Sequence, residues 1–331
     1  MKLPDRNALR RYGILAVLGI ALIAPVGLGS QYILNIIILM LVFIIFASAW
    51  NLLAISGQGS LGHAAFFGIG AYASTLIAAS TGLSPYITLV LGGGVAAVIG
   101  ILIGLTCVRL KEWFLAMVTF GFAIITSTLV VSVLAPVTGG WDGIASPRLV
   151  PPSIPGYFLI EYYSILLITA LSILFIHLIL KSRIGLAFAA IRENETEARA
   201  SGVNPVKYRL TGFGISAFLA GVAGALEIHY IGYVTPEIFG IDISFWPIIY
   251  SIFGGLGTLA GPVIGTIVLT IVWDGLKGFG LTYQRYIIIG LMLILVVIFL
   301  PRGLVSLPEE LRKWREGRRK RAAEPGAPAE G

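Results

Sequence analysis

Residues 32–56 are YILNIIILMLVFIIFASAWNLLAIS, an apolar run without a single charged side chain. A helix rises 1.5 Å per residue, so about 20 such residues cross the roughly 30 Å hydrocarbon core of a membrane. The rest of the chain has the same character: 57% of its 331 residues are hydrophobic and 12% are charged, whereas about 25% are charged in a soluble domain. Between Tyr12 and Val108 there is no Asp, Glu, Lys or Arg. The sequence therefore predicts an all-α polytopic membrane protein.

The run is followed by GQGSLG at 57–62, which has the G-x-G-x-x-G spacing of a dinucleotide-binding turn. That motif requires a short strand before the turn and an acidic residue about 20 positions after it. The preceding run is far too long for a strand, and no Asp or Glu occurs between Asp5 and Glu112. We exclude nicotinamide binding, so the glycines need another explanation.

Other apolar runs predict further membrane spans. The predicted spans are 13–29, 32–55, 62–80, 85–108, 113–135, 162–180, 209–232 and 286–300. The stretch 244–273 is also apolar but is broken by GGLGTLAGP at 254–262, which leaves two pieces that are each short for a full crossing. Two short spans would give ten in total, and one re-entrant hairpin would leave eight. The predicted class is thus eight to ten transmembrane helices, some of them interrupted by glycine.

The distribution of charge predicts the orientation. Of the 23 Lys and Arg residues, 20 lie near the N-terminus, after the span 85–108, in or beside the loop 181–208, and in the tail. By the positive-inside rule these segments face the cytoplasm, and both termini with them. We divide the chain into a basic cytoplasmic N-terminus (1–12), a transmembrane domain (13–301) and a basic, partly disordered cytoplasmic tail (302–331). The net charge of +7 indicates a surface facing anionic membrane lipid rather than nucleic acid binding.

The two long loops, 136–161 and 181–208, differ in composition and in predicted structure. The loop 136–161 is rich in Pro and Gly, which predicts ordered turns on the outer side. The cytoplasmic loop 181–208 predicts a short helix at about 186–200 that lies outside the bilayer. Gly202 suits a left-handed end to that helix, and Asn204 with Pro205 is the typical start of the next one.

The break at 57–62 frees backbone amides and carbonyls, which are tolerated in a membrane only where protein or a water-filled path surrounds them. Freed amides at the start of a helix suit a carboxylate or a polar uncharged group. The segment 255–261 (GLGTLAG) resembles this break, and matching glycine-interrupted helices are typical of transporter binding sites. The candidate residues for a substrate path are Asn51, Gln58, Gly59, Ser60, His63, Gly255, Gly257 and Thr258. The alternative is that GQGSLG is only a tight cytoplasmic turn, with His63 at the interface.

Other small residues have a simpler explanation. Gly92, Ala96, Gly100 and Gly104 recur every four residues, as do Ala217, Gly221 and Ala225. Such spacing predicts close packing between helix backbones.

No catalytic motif is present in the sequence. It lacks a G-x-x-x-x-G-K-[ST] phosphate loop, an H-E-x-x-H zinc motif and a G-x-S-x-G nucleophile turn. A single cysteine, Cys107, excludes a disulfide framework and a cysteine-based metal site. We therefore expect neither an enzyme nor a cofactor or metal site.

Three stretches together resemble a known family. These are AWNLLAISGQGSLGHAAFFGIGAYAS (49–74), AIRENETEARASGVNPVKYRLTGFGISAFLAGVAGAL (190–226), and GGLGTLAGPVIG (254–265) with FLPRGL (299–304). They are similar to the LivM-type membrane subunit of branched-chain amino acid ABC importers, as is TGGWDG (138–143) to a motif of its outer loop.

The resemblance implies a bacterial-type inner membrane location, pairing with a second permease subunit as a heterodimer, two cytoplasmic ATP-binding subunits and an extracytoplasmic substrate-binding protein. It also implies that the helix in 181–208 docks on an ATPase, because Glu197-Ala198-x-x-x-Gly202 is similar to the E-A-A-x-x-x-G loop of ABC permeases. The expected coupling residues are Arg192, Glu193, Glu197, Ala198 and Gly202.

The family suggests leucine, isoleucine and valine as substrates. An importer of urea or short amides is the nearest alternative. From another class, a channel or ion-coupled carrier would place ionisable pairs deep in the spans, and the uncharged stretch 12–108 argues against it.

Overall fold

The computed structural model describes residues 30–107, 110, 112–308 and 310. The predicted first span at 13–29, the basic segment 1–12 and most of the tail 302–331 lie outside the described residues. The described part is helical, which confirms the all-α class.

The helices follow the predicted order of spans. They are α1 (Gln31–Ile55), α2 (His63–Thr81), α3 (Pro85–Cys107), α4 (Glu112–Val131), α5 (Ala135–Thr138), α6 (Tyr157–Lys181), α7 (Arg183–Glu193), α8 (Glu195–Ala200), α9 (Pro205–Ile231), α10 (Ile241–Gly254), α11 (Ala260–Gly278) and α12 (Gln284–Phe299). Three 3₁₀ turns lie at Gly140–Asp142, Pro236–Phe239 and Leu304–Ser306. Two short strands, β1 (Ile144–Ala145) and β2 (Tyr233–Val234), pair antiparallel.

Within the described residues, seven helices are long and apolar enough to cross a membrane, namely α1, α2, α3, α4, α6, α9 and α11. The apolar helices α10 and α12 are shorter. The expectation that both pieces of 244–273 are short is wrong for the second one, because α11 has 19 residues. The first piece, α10, has 14 residues, which corresponds to about 21 Å of helix.

Small residues bring α2, α3 and α9 into backbone contact. A Cβ on Gly70 would lie 2.2 Å from the carbonyl oxygen of Gly221, and a Cβ on Gly221 would lie 2.6 Å from Cβ of Ala96. A Cβ on Gly100 would lie 2.5 Å from Cβ of Ala217. No side chain fits at these contacts, so the prediction that the small-residue stripes serve packing is confirmed.

The contacts of α9 define the two ends of the bundle. In the middle of α9, Ser216 donates to the carbonyl oxygen of Ala49 at 2.7 Å, and near the end of α9 Tyr230 donates to Asn35. Helices α1 and α9 are therefore antiparallel. The end of α1 lies beside the start of α9, together with α7 and α8. We call this the α7–α8 end, and the other the opposite end.

The opposite end carries the loop between α5 and α6. Its turns use Gly143 at φ +70°, where a Cβ would lie 2.1 Å from the carbonyl oxygen of Val234 across the two strands. The ring of His229 holds the loop to α9 through the carbonyl of Pro147 at 2.6 Å, and also contacts the hydroxyl of Ser74 at 2.7 Å. Helix α6 begins at Tyr157, five residues before the predicted span, so the loop is shorter than expected.

Candidate functional site: the junction of two helix breaks with α7

Two breaks in the helices lie at the α7–α8 end. The first, residues 56–62, separates α1 from α2, and the second, residues 255–259, separates α10 from α11. Ser251 of α10 donates to the carbonyl oxygen of Ala47 in α1 at 3.2 Å, and Gly257 lies beside Asn51 further along α1. Helices α10 and α1 thus run in the same direction, and the chain enters both breaks from the same side.

The side chain of Asn51 connects α1 to the second break. Its Nδ2 donates to the carbonyl oxygen of Thr258 at 2.8 Å, and its Oδ1 accepts from the amide of Gly257 at 2.9 Å. Asn51 is only 3% exposed. One amide side chain therefore satisfies a backbone donor and a backbone acceptor that the interrupted helix leaves free.

Within the second break, Thr258 supplies the remaining partners. Its hydroxyl donates to the carbonyl oxygen of Gly255 at 2.8 Å and accepts from the amide of Gly261 at 2.9 Å. Gly255 and Gly257 have φ angles of +136° and +79°, which L-residues with a side chain adopt rarely. The glycines and Thr258 thus shape the break, and its described polar groups are bonded within the protein.

The first break is closed by its own side chains. Gln58 is buried and donates through Nε2 to the carbonyl oxygen of Arg209 at 2.9 Å and to the hydroxyl of Ser56 at 3.0 Å. The Trp50 indole donates to the carbonyl oxygen of Ser60 at 2.8 Å. Gly59, in contrast, has no atom within 4 Å of where a Cβ would stand. The break therefore packs against the start of α9 and leaves one open point at Gly59.

His63 begins α2 and lies inside the helix bundle. Its side chain is fully buried and stacks on Phe46 with ring centroids 5.6 Å apart. Its Nε2 lies 3.3 Å from the hydroxyl of Ser216, while its Nδ1 has no hydrogen-bond partner. His63 is therefore packed inside the bundle directly after the turn.

The loop 181–208 contains two helices, not the single helix predicted for 186–200. Asn194 adopts an extended conformation (φ −155°, ψ 106°) between α7 and α8, and its side chain caps α8. A capping residue in mid-helix breaks the helix because its side chain competes for the backbone amides. Gly202 has φ +85°, and the side chain of Asn204 accepts from the amide of Lys207 at 3.2 Å. The predicted left-handed end and capped start are confirmed.

Arg192 connects α7 to both breaks. A Cβ on Gly57 would lie 3.8 Å from Cα of Arg192, and a Cβ on Gly257 would lie 2.6 Å from its Nη1. The guanidinium therefore lies against the second break while the backbone of α7 lies against the first. We call the five residues Asn51, Gly57, Arg192, Gly257 and Thr258 the junction.

The structure brings only part of the predicted set together. Of the path candidates, Asn51, Gly257 and Thr258 meet Arg192 in the junction, with Gly255 in the same break. Gln58, Gly59, Ser60 and His63 belong to the first break and its helix. Of the coupling candidates, Glu193 and Glu197 are exposed on α7 and α8, Ala198 is buried, and Gly202 ends the helical pair.

Sequence reasoning missed an ion pair that fastens α8 to α9. Oε2 of Glu195 lies 2.9 Å from Nη2 of Arg209, and its Oε1 lies 3.0 Å from Arg199. The pair with Arg199 is an i,i+4 pair that the sequence signals. The pair with Arg209 has no such signal, because it spans the turn at Gly202. Since Gln58 also bonds to the carbonyl of Arg209, α8 is linked to the first break through one residue.

Helix α7 has a buried face and a free face. Phe188 and Ile191 are buried against the bundle, where Phe188 lies close to Gly212 of α9. On the other side Leu186 is 70% exposed. The described residues contain no group of three or more His, Cys, Asp or Glu side chains that could hold a metal ion.

Fold and site together define a multi-pass helical membrane protein. The family described as branched-chain amino acid transport system / permease component matches residues 32–297, and the chain belongs to this family. Its relatives are permease components of transporters.

Individual relatives agree with the family. The chain is 30% identical to the high-affinity branched-chain amino acid transport system permease protein LivM of Salmonella typhimurium, over 93% of this chain and 77% of the relative. It is 30% identical to LivM of Escherichia coli K12, over 95% and 79%. A shorter match, 30% identity over 39% of this chain and 41% of the relative, is to LivH of the same organism. No solved structure matches the chain.

Proposed function

We propose that this chain is a membrane-spanning permease subunit of an ABC importer that moves leucine, isoleucine and valine across a bacterial-type inner membrane. Partner subunits on the cytoplasmic side hydrolyse ATP, and this subunit is itself not catalytic. Family membership supports the transport class, and the names of the relatives in two species support the substrate class.

The observation that carries the coupling part of the proposal is the contact of Arg192 with both helix breaks. Helices α7 and α8 are firmly attached through the buried Phe188 and the Glu195–Arg209 pair. Leu186 and the neighbouring charged side chains are free to dock on an ATPase. When the ATPases close on ATP, a docked α7–α8 pair moves as a unit and displaces the two breaks.

The remaining coupling candidates have complementary parts in this proposal. Glu193 and Glu197 are exposed charges for the partner. Buried Ala198 and the turn at Gly202 fix the angle between α8 and α9.

The breaks are the proposed substrate path. In the structure, Asn51 of the junction bonds α1 to the second break. Movement of α7 would separate the two breaks and free the amide of Gly257 and the carbonyl of Thr258. Freed backbone dipoles suit the charged end of an amino acid, and the surrounding apolar and small side chains suit an aliphatic side chain.

We propose ten spans with both termini cytoplasmic. The seven long helices, α10, α12 and the segment 13–29 make up this number. The shortness of α10 is compatible with a crossing, because the preceding turn at Phe239 already packs into the bundle: a Cβ on Gly68 would lie 2.3 Å from its ring. This orientation places α7 and α8 in the cytoplasm.

The proposed partners are a second permease subunit in a heterodimer, two cytoplasmic ATP-binding subunits, an extracytoplasmic substrate-binding protein and membrane lipid. The matches to two differently named permeases, LivM and LivH, support the pairing of two permeases. Against an ion-coupled carrier, both ion pairs found among the described side chains involve Glu195 of α8 and none lies between spans.

The test is uptake into proteoliposomes that contain this chain, its second permease, the ATPases and the binding protein. Labelled leucine should accumulate only with ATP and the binding protein, and Arg192→Gln should reduce uptake while the complex stays assembled. Arg148→Gln is the matched control, because it removes the same charge at the opposite end of the bundle, beside Gly232. Accumulation of urea alone would overturn the substrate assignment, and uptake driven by an ion gradient without ATP would overturn the importer class.

A further inference from the structure

A cation lies among aromatic rings at the opposite end of the bundle, away from the junction. The guanidinium carbon of Arg285, in the first turn of α12, is 3.8 Å from the ring centroid of Trp273 in α11 and 5.6 Å from that of Tyr286. Trp273 meets Tyr286 and Trp246 edge-on, each at 4.9 Å between centroids. We call Trp246, Trp273, Arg285 and Tyr286 the Arg285 cluster.

The guanidinium of Arg285 forms no direct ion pair among the described residues. Its Nε is buried without a hydrogen-bond partner, and no carboxylate lies within ion-pair distance among the described residues. Asp274, on the adjoining turn of α11, attracts Arg285 from beyond ion-pair distance, and it shares that attraction with Lys277 on its own helix. The aromatic rings hold the cation without neutralising it. Asp274, Lys277 and Arg285 together therefore carry one net positive charge.

The N-terminal end of α12, which carries Arg285, also favours a nearby anion. The first turn of α12 contains no acidic residue, and no side chain caps its start. The positive end of a helix dipole favours a negative charge, and an arginine there is disfavoured unless one is supplied. Together with the buried, unpaired Nε, the start of α12 therefore favours an anionic ligand.

The surroundings identify the kind of ligand. Phe279 and Tyr283, between α11 and α12, are 84% and 85% exposed, and exposed aromatic rings are typical of the membrane–water interface. From there Ile287, Leu291 and Ile298 continue as an exposed apolar face along α12. A ligand that fits must carry an anion beside Arg285 and a long apolar part beside α12.

We propose that the Arg285 cluster binds the phosphate of an anionic phospholipid of the surrounding membrane, with an acyl chain along α12. The free N–H groups of the guanidinium donate to the phosphate oxygens, a planar match that a lysine does not reproduce. The stacked Trp273 keeps the guanidinium in place for this contact. The lipid would hold the short helix α12 to the bundle.

The experiment is native mass spectrometry of the full-length chain after delipidation and titration with phosphatidylglycerol, phosphatidylcholine or inorganic phosphate. The wild type should retain one phosphatidylglycerol more strongly than phosphatidylcholine. Arg285→Gln should weaken that retention about five- to tenfold, since one basic residue near a membrane surface contributes on the order of 1 kcal/mol, and Arg285→Lys should recover only part of it. Arg148→Gln is the matched control, because it removes the same charge at the same end of the bundle but away from the rings.

Three results would overturn the proposal. The first is equal retention of phosphatidylglycerol by Arg285→Gln and Arg148→Gln. The second is equal retention of phosphatidylcholine and phosphatidylglycerol by the wild type. The third is displacement of the lipid by inorganic phosphate alone, which would mean a site for a free anion.

Discussion

Replacing Asn51 by leucine should loosen the attachment of α1 to the second break. Leucine has a similar shape but offers neither donor nor acceptor. The substitution therefore removes the bond to the carbonyl oxygen of Thr258 at 2.8 Å and the bond from the amide of Gly257 at 2.9 Å. Both backbone groups are then left without a partner, because the helix is interrupted between α10 and α11.

The size of the effect follows from these two bonds. An orphaned buried polar group costs about 1–3 kcal/mol, so two of them cost about 2–6 kcal/mol. Both bonds lie in partly buried surroundings, where water recovers some of the loss. We expect the free energy of unfolding to fall by about 2–4 kcal/mol.

The measurement is reversible unfolding of the purified chain in mixed detergent micelles, with the free energy extrapolated to zero denaturing detergent. Ser48→Ala is the matched control, because Ser48 is buried one turn earlier on α1 and its hydroxyl has no hydrogen-bond partner. Removing that hydroxyl should be neutral or stabilising. If Asn51→Leu and Ser48→Ala unfold at the same free energy, Asn51 does not hold the break and the reasoning fails.

Three further substitutions test separate contacts. Gly202→Val forces a β-branched residue into φ +85°, so the protein should still insert while ATP-dependent uptake falls at least severalfold; unchanged uptake would contradict the coupling proposal. Glu197→Lys removes the acceptor of a 2.6 Å bond in the α8 cap and reverses an exposed charge, so less ATPase subunit should co-purify, and full recovery would argue against docking there. Gly62→Ala places a Cβ 1.7 Å from the carbonyl oxygen of Thr119, whereas Gly59→Ala meets nothing within 4 Å. Membrane expression should therefore collapse only for the first of this pair, and equal expression would be the opposing result.

The spans were predictable because each is a local pattern. Apolar length alone gives α1, α2 and α3 to within a residue or two. The end at Gly202 and the start at Asn204 were predictable for the same reason, since the chemistry of a helix end is contained in a few neighbouring residues. Local pattern was less informative at Asn194, because an asparagine within a helical stretch is compatible with both a helix interior and a cap.

The junction could not be derived from the sequence as a set. Asn51 was predicted as a candidate for the substrate path, and its partners lie 206 and 207 residues away at Gly257 and Thr258. The position of Arg192 against Gly257 depends on how α7 packs against α1 and α9, which only the tertiary structure provides. The pairing of β1 with β2 across about 90 residues has the same origin.

The contact of Gly70 with Gly221 has a practical consequence for following the transport cycle. Two helices that touch backbone to backbone cannot slide past each other without collision, because no flexible side chain lies between them. Helices α2, α3 and α9 should therefore move as one rigid body. Any relative movement between helices should then occur at α1, α10 and α11 around the junction. Distances between probes on α2, α3 and α9 should stay constant. A change in the distance from these helices to a probe on α11 would then measure movement of α11 at the junction.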